Sequence, residues 1–348
     1  MAEQTDFFFG IQNLYAQLSK LGDPLEVLAE KIPWDRFRPK LGLARLTANR
    51  KSNAGRKPYD DVLMFKALVL QALYNLSDDQ TEYQIRDRLS FRRFLSLGMS
   101  ENVPDAKTIW LFREHLVQKK LVEKLFAKFD GYLNEMGFAA RGGQIIDASF
   151  VQVPKQRNKK DENDQIKAGE TPEQWKEEPA KLRQKDVDAC WTKKNDETYY
   201  GYKNHINVDN NCKLIRVYAV TDASVHDSQA FRKLIDPTNA NANVHADSAY
   251  RSKELEADLK EAGYRSKIHF KAYRNKPLTR KQENANHSRS KVRVRVEHVF
   301  GYQANSMKAG LIKTIGIARA KAKIGMNNLV YNMQRLLQLQ RIYGINPC

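Results

Sequence analysis

The hydrophobic pattern of this chain changes at Gly142-Gly143, and that change limits the possible folds more than any other feature of the sequence. Up to that point, apolar residues recur at helical spacing. Beyond it, segments rich in β-branched and aromatic residues mix with helical ones, in the order three strands, helix, strand, helix, strand, helix. This order predicts a helical N-terminal domain over residues 1–140. It also predicts an α/β domain over residues 141–348, built as a mixed sheet flanked by helices.

The N-terminal domain is predicted to consist of short helices. The strongest helical pattern covers residues 60–76, and Ser77 and Gln80 have the spacing of a capping box for the next helix. A further helix is predicted after Pro104-Asp105. Short helices in succession are typical of helix-turn-helix modules and equally of bundles that bind no DNA, so both interpretations stay open.

A short polar loop precedes these helices at residues 54–58. It carries two adjacent cations, Arg56 and Lys57. These side chains either contact DNA phosphates or lie in an ordinary exposed turn, and the sequence alone allows both.

The second domain is predicted to begin with a strand at residues 144–151. Two further strands, at 201–208 and 213–220, flank Asp209-Asn210-Asn211 and have the pattern of a hairpin. Between the first strand and the hairpin lies a highly charged insertion, at about residues 154–198. Its acidic and basic residues balance, so we interpret it as a solvated segment. The elements predicted after the hairpin are a helix at 227–235, a strand ending at 247, a helix at 252–262 and a strand at 266–270.

The positive charge of the chain is unevenly distributed. Lysine and arginine number 59 against 41 acidic residues, which gives a formal net charge of +18. Residues 265–323 alone hold 16 basic residues and only two acids, Glu283 and Glu297. Such an excess favours a polyanionic partner, because each phosphate that is neutralised releases a counterion. By itself, however, the charge also fits a basic structural or ribosome-associated protein.

The cysteine pattern and the hydropathy indicate where in the cell the protein is expected. Cys190, Cys212 and Cys348 are scattered and form no CxxC pair, which argues against a zinc site and against a disulfide framework. No apolar run has the length of a membrane helix, and no export signal opens the chain. We therefore expect a cytoplasmic protein with no membrane partner.

Two aspartates stand where a metal-dependent nuclease would need them. Phosphodiester cleavage is catalysed efficiently by two divalent cations about 4 Å apart, and Mg²⁺ prefers carboxylate oxygens. Asp147 lies inside an apolar strand, where it is either a metal ligand or a salt-bridged residue. Asp247 lies where a strand meets a loop, and is either a metal ligand or the cap of the next helix.

Glu297 is one of the two acids in the basic stretch. The surrounding residues alternate like a strand, yet Val292, Val296 and Val299 also fall at helical spacing, and Gly301 would then end the helix. On a helix, Arg293 and Glu297 share one face. They form either a simple ion pair, or a metal ligand beside an arginine that holds phosphate.

These segments resemble bacterial insertion-sequence transposases of the DDE superfamily, in the group named after insertion sequence five. The resemblance rests on IIDASF around Asp147, HADSAYRS around Asp247 and RVRVEHVFG around Glu297, and extends over roughly residues 40 to 340. GYKNH at residues 201–205 and RKPY at residues 56–59 are also similar. The family pattern places a tyrosine before the arginine and a lysine after the glutamate. Here those positions are Ser290 and Ala304, and the nearest lysine is Lys308.

The resemblance implies an RNase H-like catalytic domain and metal-dependent cleavage of DNA at terminal inverted repeats, followed by transfer of the freed 3′ hydroxyl into target DNA. It implies two Mg²⁺ ions, for which Mn²⁺ is an expected substitute, held by Asp147, Asp247 and Glu297. It also implies double-stranded DNA as the partner, a homodimer when two ends are paired, and a place at the bacterial nucleoid. The residues expected to contact DNA are Arg293, Lys308, Arg251, Lys203, Tyr202, Arg56 and Lys57.

Two alternatives share this pattern of residues. A nuclease of the same fold would hydrolyse DNA without joining it. A regulator derived from a transposase would bind element ends and show no dependence on metal. The three acids favour an active enzyme, but the sequence does not separate hydrolysis from strand transfer.

Overall fold

The computed structural model describes residues 2–45, 57–194, 196–274 and 276–344. Arg56 lies outside the described residues. No helix within these ranges combines the length and the apolar character that crossing a bilayer requires.

The segment before residue 140 is helical, as predicted. Its α-helices are α1 (Ala2–Lys20), α2 (Pro24–Lys31), α3 (Arg38–Arg45), α4 (Asp61–Tyr74), α5 (Asp78–Asp87), α6 (Leu89–Phe94), α7 (Ala106–Gln118) and α8 (Leu121–Glu135). The Asp60 side chain caps α4 by accepting from two backbone amides. The predicted capping box of Ser77 and Gln80 is confirmed at the start of α5.

The second half of the chain contains a mixed sheet flanked by helices, which confirms the predicted α/β class. The strands are β1 (Gln144–Gln152), β2 (Cys190–Lys194), β3 (Glu197–Asp209), β4 (Ile215–Asp222), β5 (Asn243–His245) and β6 (Arg265–Ser266). The remaining α-helices are α9 (Lys160–Lys167), α10 (Glu173–Glu177), α11 (Pro179–Leu182), α12 (Asp227–Leu234), α13 (Lys253–Glu261), α14 (Arg280–Gly301) and α15 (Ile317–Tyr343).

The strand order brings two distant parts of the chain side by side. The sheet runs β2-β3-β1-β5-β6, and β4 pairs with β3. The β3–β4 pair is the predicted hairpin, and β1 is antiparallel to β3. By contrast, β5 is parallel to β1, with Gln144 opposite Val244 and Ile145 opposite His245. The register therefore aligns residues that are 100 positions apart in sequence.

Consecutive residues of β1 point to opposite faces of the sheet, and each face has its own core. Ile145 packs in the larger core with residues of α8, α14 and α15. Ile146 packs in a second core with Phe231 of α12 and Leu259 of α13. Burial on both faces explains why β1 is an apolar run rather than an alternating one.

The helical segment and the sheet are not separated by a gap. The core that contains Ile145 also contains Trp34, Phe65 and Phe129 of the N-terminal segment, and Leu329 of α15. The apolar stripe of α15 is accordingly buried within the chain. The boundary predicted at residue 140 thus marks a change of secondary structure inside one shared core.

The charged insertion is folded, which corrects its interpretation as a solvated segment. Trp175 of α10 is fully buried and packs with Ile166 and Cys190 in a small core of its own. The indole nitrogen of Trp175 donates to Glu162 at 2.7 Å. A single buried tryptophan supplies much of the apolar area that a short segment needs, and the balanced charges hid this from the sequence pattern.

The structure differs from the prediction in the strand before α14 and in the way α14 ends. The strand predicted at 266–270 is only two residues long, at Arg265–Ser266, because Phe270 turns onto α14. There its backbone N–H donates to Asn286 Oδ1, and its carbonyl accepts from Asn286 Nδ2. The α-helical part of α14 does end at Gly301, as predicted, but Gly301 does not act as a glycine cap. It keeps α-helical angles, and the chain continues into a π-helical turn over Tyr302–Ser306.

A desolvated lysine at the junction of α15 with the N-terminal helices gives a testable pH dependence. Burial, and to a smaller extent the neighbouring Arg113, lower the pKa of Lys323 to about 8, while Asp78 opposes the shift. Because the folded pKa lies below the unfolded one, the unfolded chain binds more protons between about pH 8 and 10.5, and stability rises with pH across that window. We expect Lys323→Met to raise the free energy of unfolding by about 1–2 kcal/mol at pH 7.

Chemical denaturation of both proteins at pH 7 and pH 10 checks this expectation. The difference in free energy of unfolding between the variant and the wild type should shrink at pH 10, where Lys323 of the folded wild type is neutral. A variant that is less stable than the wild type at pH 7 would contradict it.

Candidate catalytic site

The parallel pairing of β1 with β5 brings two aspartates to the same level. Ile145 lies opposite His245, and two residues further on are Asp147 and Asp247. Neighbouring strands lie about 4.8 Å apart. Although β5 ends at His245, Asp247 keeps an extended backbone, and its charge acts on the pKa of Asp147. The sequence separation of 100 residues is therefore matched by the register of the sheet.

Helix α14 brings the third acid to this place. Val296 and Val299 are fully buried in the large core, which fixes the orientation of the helix against the sheet. Arg293 and Glu297 lie on another face, one turn apart. The ambiguity of this segment is resolved as helix, because the valines at helical spacing are the ones that pack.

Arg293 connects two of the acids directly. Its Nη1 atom donates to Asp147 Oδ2 at 2.6 Å, and its Nη2 atom donates to Glu297 Oε1 at 3.1 Å. One guanidinium group thus holds a carboxylate of β1 and a carboxylate of α14 that are 150 residues apart in sequence. Both salt bridges that the sequence allowed, at Asp147 and at Glu297, are present.

Asp147 is the most enclosed of the three acids. Its side chain is 15% exposed, against 40% for Asp247 and 54% for Glu297. Burial raises the pKa of Asp147 above its usual value, whereas Arg293 and the amide of Ala148 oppose the shift and Asp247 adds to it. An acid whose charge is costly in the free protein, and which senses a second acid nearby, is typical of a functional site.

Asp247 caps a short 3₁₀ turn, and not the helix near Ser252 for which the sequence allowed a cap. Its Oδ1 atom accepts from the amide of Ser248 at 2.6 Å and begins a 3₁₀ turn over Ser248–Tyr250, while α13 is capped separately by Ser252. His269 Nδ1 lies 3.9 Å from the same oxygen. The cap orients the carboxylate and leaves its second oxygen without a donor among the described residues.

Three buried polar atoms around the acids lack hydrogen-bond partners among the described residues. They are Tyr250 Oη, His269 Nε2 and Arg293 Nε. The charges of Asp147 and Asp247 act on the pKa of Tyr250, and those of Asp247 and Arg293 act on the pKa of His269. Tyr250 lay within the quoted motif but was not singled out, and His269 had no pattern that pointed to it.

Comparison with protein families shows the class to which the chain belongs. Residues 12–115 match a transposase domain family (DUF772), and residues 139–333, more than half of the chain, match the transposase DDE domain.

The chain belongs to the transposase DDE domain family.

Membership in this family makes the chain a DNA transposase, and the three acids lie within the matched residues. A solved structure, the synaptic complex of piggyBac transposase with hairpin DNA, is also similar in shape. It shares 12% sequence identity with this chain, covers 90% of this chain and 74% of its own, and superposes with a TM-score of 0.45.

The DDE domain places two expected DNA contacts in its core, which corrects the prediction for them. Tyr202 is fully buried, and its hydroxyl donates to the carboxylate of Asp186 at 2.8 Å. Lys203 is 7% exposed, donates to the Val225 carbonyl at 2.7 Å and pairs with Asp227 at 2.9 Å. Both lie on the long central strand β3, whose neighbours bury each of its faces.

Arg251 is half-buried near Asp247 and belongs to a pair of arginines. The guanidinium carbons of Arg251 and Arg289 lie 4.2 and 4.4 Å from the ring centroid of Phe270, and both groups donate to the Ile268 carbonyl. Only one carboxylate, that of Glu256, pairs with Arg251 among the described residues. Sequence reasoning missed Arg289, because nothing in the chain pattern distinguished it from its basic neighbours.

The other expected DNA contacts are on the surface. Lys57 is exposed, and Lys308 is exposed just after the π-helical turn. The carbonyl of Lys308 accepts from the Asn75 side chain, so its backbone is fixed to the helical segment.

Proposed function

We propose that this transposase cuts DNA at the ends of a mobile element and transfers the freed 3′ hydroxyl into target DNA, with Asp147, Asp247 and Glu297 as the metal-binding acids. The observation that supports this most strongly is the contact of Arg293 with both Asp147 and Glu297, beside the register that brings Asp247 level with Asp147. Three segments separated by 100 and 50 residues thus supply acids to one place.

The chemistry of these residues fits divalent cations. Three carboxylates from separate elements supply hard oxygen ligands, and Asp247 and Glu297 each keep one oxygen without a donor among the described residues. The unpartnered atoms of Tyr250 and His269 belong to side chains whose pKa values respond to these acids, and they suit a hydrated ion or a phosphate. Bound Mg²⁺, or Mn²⁺ in its place, would activate the attacking oxygen and stabilise the leaving one.

The DNA is proposed to follow the basic side of α14. Arg293, one turn along from Arg289, is placed to hold a phosphate beside the acids. The Arg251–Arg289 pair, Lys57 and Lys308 would extend this surface. Lysines 253, 271 and 276 are exposed around a pocket next to Arg251, which adds to the positive potential there.

Loss of one of these cations should change how DNA binding depends on salt. We expect Arg289→Gln to reduce the slope of log K against log salt concentration by about 1 for a duplex of arbitrary sequence, because one fewer phosphate is neutralised. Fluorescence anisotropy at several salt concentrations measures the slope. Lys176→Gln, an exposed lysine of the insertion, is the matched control and should leave the slope unchanged. Equal slopes for the wild type and both variants would show that Arg289 does not contact DNA phosphates.

We further propose that the sheet is of the RNase H-like kind and that the chain belongs to the group named after insertion sequence five. The order of strands and helices and the three motifs support both. Pairing of two DNA ends would require at least a homodimer, and the place of action would be the bacterial nucleoid.

The test is an assay of cleavage and joining on labelled DNA that carries the ends of the element, with and without Mg²⁺. Metal-dependent nicks at the ends together with joined products are expected, and both should be absent for Asp247→Asn. Cleavage without joining would favour the nuclease. Binding of the ends with no metal-dependent product from either protein would favour the regulator and contradict the proposal.

A further inference from the structure

The oxygens of the three acids are unequally available. Asp147 uses both of its carboxylate oxygens, since Oδ1 accepts from the Ala148 amide at 2.9 Å and Oδ2 accepts from Arg293 at 2.6 Å. Glu297 uses one oxygen, and that bond also comes from Arg293. Among the described residues, no group of three or more acidic, histidine or cysteine side chains is arranged to hold a metal ion. The acids have the chemistry of a metal site, but their arrangement is set by an arginine.

Arg293 and a divalent cation would compete for the same atom. A metal ligated by Asp147 Oδ2 would lie about 2.1 Å from that oxygen, on which the guanidinium already donates. Two cations on one buried carboxylate oxygen repel each other strongly, because the surroundings screen them poorly. Each oxygen of Asp147 keeps a second lone pair, so a metal could still approach, but it would bind much more tightly once the guanidinium has moved away.

We infer that Arg293 keeps the acids closed to metal in the DNA-free transposase, and that a DNA phosphate opens the site by taking over its guanidinium. This inference rests on the proposed metal site. A phosphate offers the bidentate partner that a guanidinium prefers, so the exchange replaces two carboxylate bonds with phosphate bonds. Arg293 Nε, which is buried and has no partner among the described residues, is a donor that the closed arrangement leaves unused.

This exchange of partners by Arg293 couples the binding of DNA to the binding of metal. If DNA releases the acids for metal, linkage requires that metal strengthens DNA binding by the same factor. Arg293 is then a positioning residue that makes metal binding depend on the presence of substrate. The enzyme would be loaded with metal chiefly where there is DNA to cut.

Metal binding to the full-length protein tests this without measuring activity. Free Mn²⁺ would be followed by electron paramagnetic resonance, with and without a 20-base-pair duplex of arbitrary sequence as the DNA probe. Arg293→Met removes the guanidinium from the acids. Arg295→Met is the matched control, because Arg295 lies on the same helix but donates to the Asn210 carbonyl at 2.8 Å and not to an acid. Asp247→Asn tests the metal site itself.

Without DNA, we expect Arg293→Met to bind Mn²⁺ about tenfold more tightly than Arg295→Met, within the usual range of coupling between two ligands. The duplex should strengthen Mn²⁺ binding to the wild type and to Arg295→Met, and have much less effect on Arg293→Met. Equal affinities for the two arginine variants without DNA, or equal gains with DNA, would overturn the inference while leaving the proposed function intact. If Asp247→Asn bound Mn²⁺ as tightly as the wild type does, the metal site and the proposed function would fail together.

Discussion

Asp147→Asn is expected to reduce metal-dependent DNA cleavage by at least about 10³-fold, because loss of a metal ligand removes several kcal/mol of transition-state stabilisation. The substitution keeps the shape of the side chain and the hydrogen bond from the Ala148 amide. It also removes a charge whose burial is costly, since burial raises the pKa of Asp147. The variant should therefore fold as well as the wild type, so that the lost activity reports on chemistry.

Single-turnover cleavage of labelled DNA in Mg²⁺, with thermal unfolding of the same samples, checks this prediction. The control is Asp258→Asn, which removes an aspartate that pairs with Arg232 on the surface. It should retain activity. An Asp147→Asn protein that cuts within tenfold of the wild type would show that this acid is not a metal ligand.

Arg216→Met is expected to lower the free energy of unfolding by about 3 kcal/mol, the cost of removing one partner from a buried ion pair. The Arg216 side chain is 2% exposed, and it joins β4 to the helical segment. It donates to Asp130 at 2.7 Å, to Asn134 at 3.3 Å and to the Phe138 carbonyl. Without it, a half-buried carboxylate and a backbone carbonyl lose their donors.

The same variant has a pH signature. Burial already raises the pKa of Asp130, with Arg216 opposing that shift, so the pKa should rise further in Arg216→Met. A neutral carboxyl is easier to bury, and the deficit in stability should therefore shrink as the pH falls towards the pKa of Asp130. Urea denaturation at neutral and acidic pH measures both effects.

Arg232→Met is the matched control for this prediction. Arg232 pairs with Glu254 and Asp258, but its side chain is 62% exposed, so solvent screens the pairs and little stability should be lost. Equal losses for the two variants would show that Arg216 contributes no more than a surface arginine does.

The sequence was informative where local chemistry determined the structure. The cap and capping box around α4 and α5 depend on side chains within three residues, and the hairpin of β3 and β4 depends on its turn. The class of the fold followed from the order of such elements. The pattern also put Asp147 in a strand and Asp247 at a strand-to-loop junction, although no local signal fixed the register that brings β1 beside β5.

The features that the sequence did not predict depend on contacts between residues that are distant along the chain. The fold of the insertion depends on the burial of Trp175, which its charged neighbours concealed. GYKNH gave no sign that Tyr202 and Lys203 face Asp186 and Asp227, partners 16 and 24 positions away. The pairing of Arg293 with Glu297 was readable from helical spacing, but its bond to Asp147 crosses 146 residues. The periodicity of a sequence reports only on residues a few positions apart, so it could not predict this bond.

The central claim is that Asp147, Asp247 and Glu297 jointly hold the catalytic metal. Crystals of the transposase with Mn²⁺ and DNA carrying the element's ends would test it most directly, through the anomalous signal of manganese. We predict anomalous peaks within coordination distance of all three carboxylates, with Arg293 moved onto a DNA phosphate. Manganese bound elsewhere, with Arg293 still on Asp147 and Glu297 beside bound DNA, would contradict the account.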